Sequence, residues 1–513
     1  MPQKSIFAFF IGIYLLVGFV PVLIMGVESF FQGGHFSLAL YSEIFHSVKK
    51  LQLFFQTLLL ALSVTFLTSF FGIVFGLLLE RTNLLLKGAL LALFTLPLLL
   101  PPYIVALAWS HLFGEWFFGF WGVVFVEFSI YLPIPLLTTV ILLKMINPKL
   151  EDAARLFLPW SKVLRYITLP LIVPSVFLVS LLVFLLSFGN YSVVNFLRFN
   201  TIIVESFVEY SAFYNYSASY ALSFLFIVFV IILLIVEKFY NAKKKYQGVF
   251  EHFRLQNTHL IDLKIYKIPL SFGMIFFVLF TVVLPIALLI VESSSLHTYV
   301  EAFHLAKASM LRTLLYAALG GLSITLFGFV SAYAIERKLF RFVWAMDGIT
   351  LFLFAMPSTL LGMALVLFFN HSWSNFIYAS SLIIIISYTI KYSAISNRIF
   401  LANMQQISPS MEEATEMLGL SMFQRIGYIT LPLLSGAFIF SYLLSFIFLL
   451  RDTDITMLLY SAGYDTLAIR TFTLMANSPL DIIAALSVMM ICMVSLPFAL
   501  IYLYFVRRKN DSY

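Results

Sequence analysis

Apolar runs close to the ~20 residues that carry an α-helix across a bilayer recur along the whole chain, and this pattern leaves few folds open. Residues 6–27, 270–291 and 484–506 are three such runs. Backbone N–H and C=O groups in lipid must be paired inside the protein, and long apolar runs pair them as helices rather than barrel strands. Of the 513 residues, 62% are hydrophobic and only 11% charged, too little charge to clothe a soluble core of this size. The expected class is an all-α polytopic membrane protein. The single cysteine, Cys492, lies inside the last run, so no internal disulfide framework can form. The first run follows only one cation, Lys4, and Gly26-Val27-Glu28-Ser29 is a poor cleavage site; it reads as a retained helix.

The hydrophobic pattern predicts about twelve helices in two sets of six. The first set is 6–27, 52–79, 89–113, 117–143, 171–189 and 217–237; the second is 268–291, 311–335, 343–369, 376–400, 432–450 and 480–506. With both termini inside, 24 of the 31 Lys and Arg fall in cytoplasmic segments, Lys391 among them. The seven outside are Lys49, Lys50, Arg198, Lys307, Arg312, Arg451 and Arg470. The net charge of +7 then has its source in the positive-inside rule, which argues against nucleic acid as a partner and for membrane lipid. The basic run Lys243-Lys244-Lys245 reads as a stop-transfer flank. The expected division is 1–240 for the first unit, 241–266 for a cytoplasmic linker and 267–513 for the second unit.

The two halves resemble each other. Thr57 and Thr313 stand in similar helices that end in Glu80-Arg81 and Glu336-Arg337, an offset of 256 residues. Leu96-Pro97 and Met356-Pro357 are offset by 260. The hexapeptide Tyr166-Ile167-Thr168-Leu169-Pro170-Leu171 returns letter for letter as Tyr428-Ile429-Thr430-Leu431-Pro432-Leu433, at 262. A drift of one sign is what tandem duplication with small loop insertions produces. An even number of helices per half makes the repeats parallel, with a pathway for substrate expected between them.

Before each hexapeptide lies a polar cassette in an otherwise apolar chain. Asn147-Pro148 and Ser408-Pro409 pair a preferred N-cap with a proline whose missing N–H costs nothing at the first helical position. Glu151 and Asp152, or Glu412 and Glu413, follow in or near the first turn, where they complement the helix dipole. Gly419 supplies a stop in the second copy, whereas Phe157-Leu158-Pro159 occupies that place in the first, which is one residue shorter. The residue before each proline of the Leu-Pro pair is expected to be extended or turned. Each cassette is therefore expected to form a short helix-turn-helix under the membrane.

Glu-x-Ala-x-x-x-x-Gly followed a dozen residues later by Ile-x-Leu-Pro resembles the cytoplasmic EAA signature of ABC-importer permeases of the methionine/maltose-permease type. In that family the segment is a coupling helix that docks in a groove of the ATP-hydrolysing subunit. The resemblance places Glu412, Glu413, Ala414, Gly419, Leu431 and Pro432 in the second coupling segment, and Glu151, Asp152, Ala153, Ala154, Leu169 and Pro170 in the first. Two complete units in one chain resemble the fused permeases of ferric-iron-type bacterial importers, as do Leu100–Trp109, Phe188–Tyr191 and Asp454–Tyr460. The resemblance implies an inner-membrane permease that takes its substrate from a periplasmic binding protein and its energy from two ATPase subunits. Fused permeases for thiamine and phosphonates share this architecture.

Other chemistry is sparse. No Gly-x-x-x-x-Gly-Lys-[Ser/Thr] phosphate cradle occurs, so the chain is not expected to hydrolyse ATP. The eight histidines form no i, i+4 pair, and neither a metal centre nor a bound cofactor is expected. In the outer segments, Asn190, Arg198 and Glu205 in the first half and Arg451, Asp452 and Asp454 in the second are the candidates for the translocation path, because polar groups near membrane depth are costly unless they face a cavity or a partner. The tyrosines of 210–220 read as interface anchors. An ion-coupled secondary transporter is the competing class, but it calls for more acids within the helices and does not explain the duplicated cassettes.

Overall fold

The computed structural model describes residues 2–242, 260–293, 295–341, 343–405, 407–417 and 419–510; Lys243-Lys244-Lys245 and most of the linker lie outside the described residues. The long helices, in chain order, are α1 (Ser5–Glu28), α2 (Val48–Arg81), α3 (Lys87–Leu99 and Pro102–Phe117), α4 (Phe120–Met145), α5 (Trp160–Phe188), α6 (Tyr216–Val236), α7 (Lys264–Glu292), α8 (Leu296–Glu336), α9 (Ala345–Ala355 and Ser358–Phe369), α10 (Leu382–Met404), α11 (Met422–Leu433 and Ser435–Leu450) and α12 (Leu480–Asn510). Eight are long and apolar enough to cross a membrane unaided, and three more do so as bent pairs. The remaining one, α10, is diluted by Lys391, Asn397 and Arg398.

The bends correct the sequence expectation of straight third helices. α3 turns by 100° and α9 by 107°. At each break a proline, Pro101 or Pro357, caps the second segment in an extended conformation. The structurally equivalent prolines are thus 256 residues apart, so Met356-Pro357 matches Leu100-Pro101, not Leu96-Pro97.

Two compact bodies emerge from the packing. One holds residues 43–205 and 228–291; the other holds 1–42, 206–227 and 292–513. Packing therefore exchanges the first helices of the sequence repeats. α7 supplies Met274, Val278 and Val282 to a core with Phe75, Phe94 and Phe128. α1 supplies Phe7 to a core with Tyr333 and Phe400, and Tyr14 donates to Ile390 O at 3.2 Å and stacks on Phe327 at 3.9 Å.

Inside each body the same crossings recur. With lipid as apolar as leucine, helices in a membrane are held by close approach at small residues and by hydrogen bonds between them. Gly72 of α2 lies against Pro135 and Leu136 of α4, and Gly328 of α8 lies against Ser396 and Asn397 of α10. Ser69 bonds Ser180 at 2.6 Å between α2 and α5; Thr325 and Ser441 meet at 3.5 Å between α8 and α11. The duplication is thus preserved as contacts and not only as letters.

Candidate functional site: two coupling segments and the polar network behind them

The first cassette begins with the helix Pro148–Arg155, capped by Asn147 Oδ1 accepting from Lys149 N at 3.0 Å. It turns without any left-handed residue: the N–H groups of Phe157 and Leu158 both bond to Ala154 O, and Pro159 starts the next helical turn. The second begins with Pro409–Met417 and turns at Gly419, whose φ of +81° suits glycine, while Leu420 N returns to Thr415 O at 3.3 Å. The side chains of Glu412 and Glu413 lie outside the described residues; Ala414 is exposed.

Both hexapeptides depart from expectation. Thr168, Leu169, Thr430 and Leu431 are helical, not extended. Each cassette enters its next long helix through a π-turn, Leu164–Thr168 or Ile426–Thr430. Widening the ladder just before Pro170 and Pro432 absorbs the missing proline N–H without breaking the helix. α5 accordingly starts at Trp160 instead of near 171, and runs unbroken through Phe188. α11 bends by 74°, but at Leu434, two residues past Pro432.

The acidic residues of the first cassette have different surroundings. Asp152 is half-buried, whereas Glu151 points inward and is buried. Its Oε2 lies 3.1 Å from Arg81 Nε, and its Oε1 accepts from Thr168 Oγ1 at 2.7 Å. Arg81 Nη2 donates in turn to Leu143 O at 2.7 Å. The Arg81–Glu151 pair so joins the end of α2, the end of α4, the cassette helix and the π-turn. Residues 260–263 are pinned beside it, with Ile261 N bonded to Arg81 O and Asn83 Nδ2 bonded to Asp262 at 2.7 Å. The Lys264 N–H and the Asn83 amide hold the Asp262 carboxyl below its usual range.

Among the charged and polar side chains exposed on the cassettes stand large apolar ones. Leu156 is 79% exposed and Met417, its equivalent 261 residues later, is 91% exposed. Tyr166 and Tyr428 are exposed as well. Leu156 and Met417 were not singled out by sequence reasoning. The available signal was a large apolar side chain at the end of each polar helix.

Away from the cassettes, along α2 and α8, the two halves again agree. Thr57 Oγ1 accepts from Ile202 N at 3.0 Å, at the start of the helix Ile202–Ser211. Thr313 Oγ1 accepts from Leu467 N at 2.7 Å, at the start of Leu467–Leu474. Of the path candidates, Glu205 pairs with Lys49 at 2.7 Å. Arg198, exposed, lies over the Phe118 ring at 4.9 Å. Asn190 is buried, donating to Tyr131 Oη at 3.1 Å and accepting from Val193 N at 3.0 Å. Asp452 is its structural counterpart: it accepts from Tyr392 Oη and from Thr456 N. Arg451 lies over Phe448 at 4.8 Å, and Asp454 is half-buried in the same turn.

Among the described residues, two buried ionisable groups within helices were not singled out by sequence reasoning. Lys391, assigned above to a cytoplasmic segment, sits in the middle of α10, where its Nζ donates to Phe354 O at 2.8 Å and to Met356 O. It thereby closes the open carbonyl end of α9 at the 107° break. Irregular backbone at membrane depth survives only where protein groups satisfy it. Glu127 of α4 is fully buried and accepts from Ser187 Oγ. Tyr210, Tyr216 and Tyr220 form an aromatic cluster, with ring centroids 5.1 Å apart for the first pair, and burial pushes the Tyr210 phenol well up.

Two copies of one helical arrangement, each with a short polar helix between its fourth and fifth long helices, define a duplicated polytopic membrane protein. The chain belongs to the family of binding-protein-dependent transport system inner membrane components, whose domain matches it twice, at residues 72–246 and 324–511. Over 92% of its length it is 24% identical to the putative ferric transport system permease protein FbpB 1 of Haemophilus influenzae, spanning 80% of that protein. It is 25% identical to the Fe(3+)-transport system permease protein FbpB 2 of the same organism, over 90% of each chain. It is also 24% identical to the ferric transport system permease protein FbpB of Actinobacillus pleuropneumoniae, over 87% of this chain and 70% of that one.

Proposed function

We propose that this protein is the permease subunit of an ABC importer for ferric iron, with both termini cytoplasmic and the sequence units 1–240 and 267–513 joined by the linker 241–266. A periplasmic binding protein delivers the substrate, and two ATPase subunits dock on the cassettes and supply the free energy. The iron assignment is supported by the names of the relatives. The observation that carries the docking reading is the matched pair Leu156 and Met417, each an exposed apolar side chain at the end of a polar helix. In the first cassette Phe157, 86% exposed, extends Leu156 into a contiguous apolar surface, and contiguous exposed apolar surface marks an interaction site.

Burying a leucine or methionine side chain is worth about 1.5–3 kcal/mol. Leu156→Asp and Met417→Asp should therefore each weaken association with the ATPase by about 10- to 100-fold. Co-purification from detergent and ferric uptake by reconstituted vesicles measure this; full association and full uptake in the double variant would end the docking reading. Uptake of labelled ferric iron against thiamine and a phosphonate, with the cognate binding protein present, tests the substrate. Gly419→Val forces a β-branched residue into the left-handed region, at a cost of about 1–2 kcal/mol. Association should fall about tenfold, a loss that Gly419→Asn should largely avoid.

A further inference from the structure

The covalent route from the first cassette into the membrane is not a regular α-helix. It passes through the π-turn Leu164–Thr168, Pro170 and then Pro174 inside α5. In the second half the corresponding route bends by 74° in α11. α2 is different: 34 residues of regular α-helix with no proline, about 51 Å long at 1.5 Å per residue. Its two ends are held by specific side chains. Arg81 grips Glu151 of the coupling helix and Leu143 O at one end. Thr57, 24 residues earlier, holds Ile202 N at the other, and Lys49 pairs with Glu205 on the same outer helix.

We infer that Arg81 is a positioning residue that transmits movement of the first coupling helix into α2, and that α2 carries it as a rigid rod to the outer helix Ile202–Ser211. The inference rests on the cassettes being the ATPase docking segments. It gives Glu151 an inward task, holding the rod, in place of a contact with the partner. A buried arginine fork fixes direction as well as distance, because two donors engage two different elements. Arg81 Nη1 is buried with no hydrogen-bond partner among the described residues, leaving the guanidinium a donor with which to re-pair when the coupling helix moves. α8, 41 residues long and also without proline, repeats the hydrogen bond to an outer helix, with Thr313 near its middle accepting from Leu467 N.

The test uses the full complex of permease, ATPase and binding protein in lipid vesicles, and reads ferric iron transported per ATP hydrolysed alongside ATPase co-purification. Arg81→Met should keep the ATPase bound and hydrolysing while iron per ATP falls at least fivefold. Glu151→Gln should lower iron per ATP by a similar factor, and the exchanged pair Arg81→Glu with Glu151→Arg should recover at least half of the loss. Thr57→Val at the far end should lower the same ratio, and adding Arg81→Met to it should cost little more, because one rod is already released. Since Arg81→Met strands a buried carboxylate, Arg81→Met with Glu151→Leu serves as the folded control: it fills the space, keeps the thermal midpoint and still shows the low ratio. A normal ratio in that double variant reduces the tie to a structural one and overturns the inference. So does Glu151→Gln releasing the ATPase while Arg81→Met does not, which would return Glu151 to the docking surface. Failure of the docking reading itself would show separately, as undiminished association in Leu156→Asp and Met417→Asp.

Discussion

Replacing Lys391 with methionine is expected to destabilise the body that contains residues 292–513 more than any other single change considered. The ammonium satisfies Phe354 O and Met356 O where α9 breaks. Removing it leaves two buried carbonyls without that donor. Each buried acceptor left unsatisfied costs about 1–3 kcal/mol. The thermal midpoint of the detergent-solubilised protein should fall by several degrees, with loss of ferric uptake. Lys391→Arg should keep the charge but misplace it, and give an intermediate midpoint. An unchanged midpoint in Lys391→Met would mean that water closes the broken helix instead.

Gly328→Val should come next. A β-carbon at this position would stand 2.0 Å from Ser396 Oγ and 2.9 Å from the backbone nitrogen of Asn397. Neither helix can yield cheaply: Ser396 Oγ also accepts from Ser441 Oγ at 2.7 Å, tying α10 to α11. Overpacking of this kind costs about 3 kcal/mol at the upper end of the usual range. Gly348→Ala, on the first segment of α9 with nothing within 4 Å, is the matching control and should be neutral within about 0.5 kcal/mol. Equal midpoints for the two variants would refute the close α8–α10 crossing.

Much of this was legible in the sequence. The apolar runs located the long helices, because length and hydrophobicity are set by the bilayer and need no tertiary contact. The duplicated hexapeptide marked the two cassettes, and the offsets carried residue pairs such as Thr57 and Thr313 to equivalent hydrogen bonds. Other points misled. Proline predicted an extended residue at Leu169 and Leu431, but a π-turn accommodates the ring at less cost when the helix must continue. Pro97 was matched with Pro357, although Pro101 occupies the equivalent break; the density of prolines between 97 and 102 hid the register. Lys391 looked like a cytoplasmic cation because charge bias says where lysines accumulate, not which one closes a broken helix.

By itself, then, the sequence determined the class, the helices, the duplication and the places where polar segments interrupt them, since all four depend on local hydrophobicity and local backbone chemistry. The tertiary structure alone decided that α1 and α7 leave their own repeats to pack in the other body, that Glu151 turns inward to Arg81 while Leu156 and Met417 face out, and that Lys391 closes the end of α9. Those outcomes depend on which groups are left unsatisfied once helices meet. That balance is struck between residues as far apart as Tyr14 and Ser393, whose hydroxyls meet at 2.8 Å, and no local pattern records it.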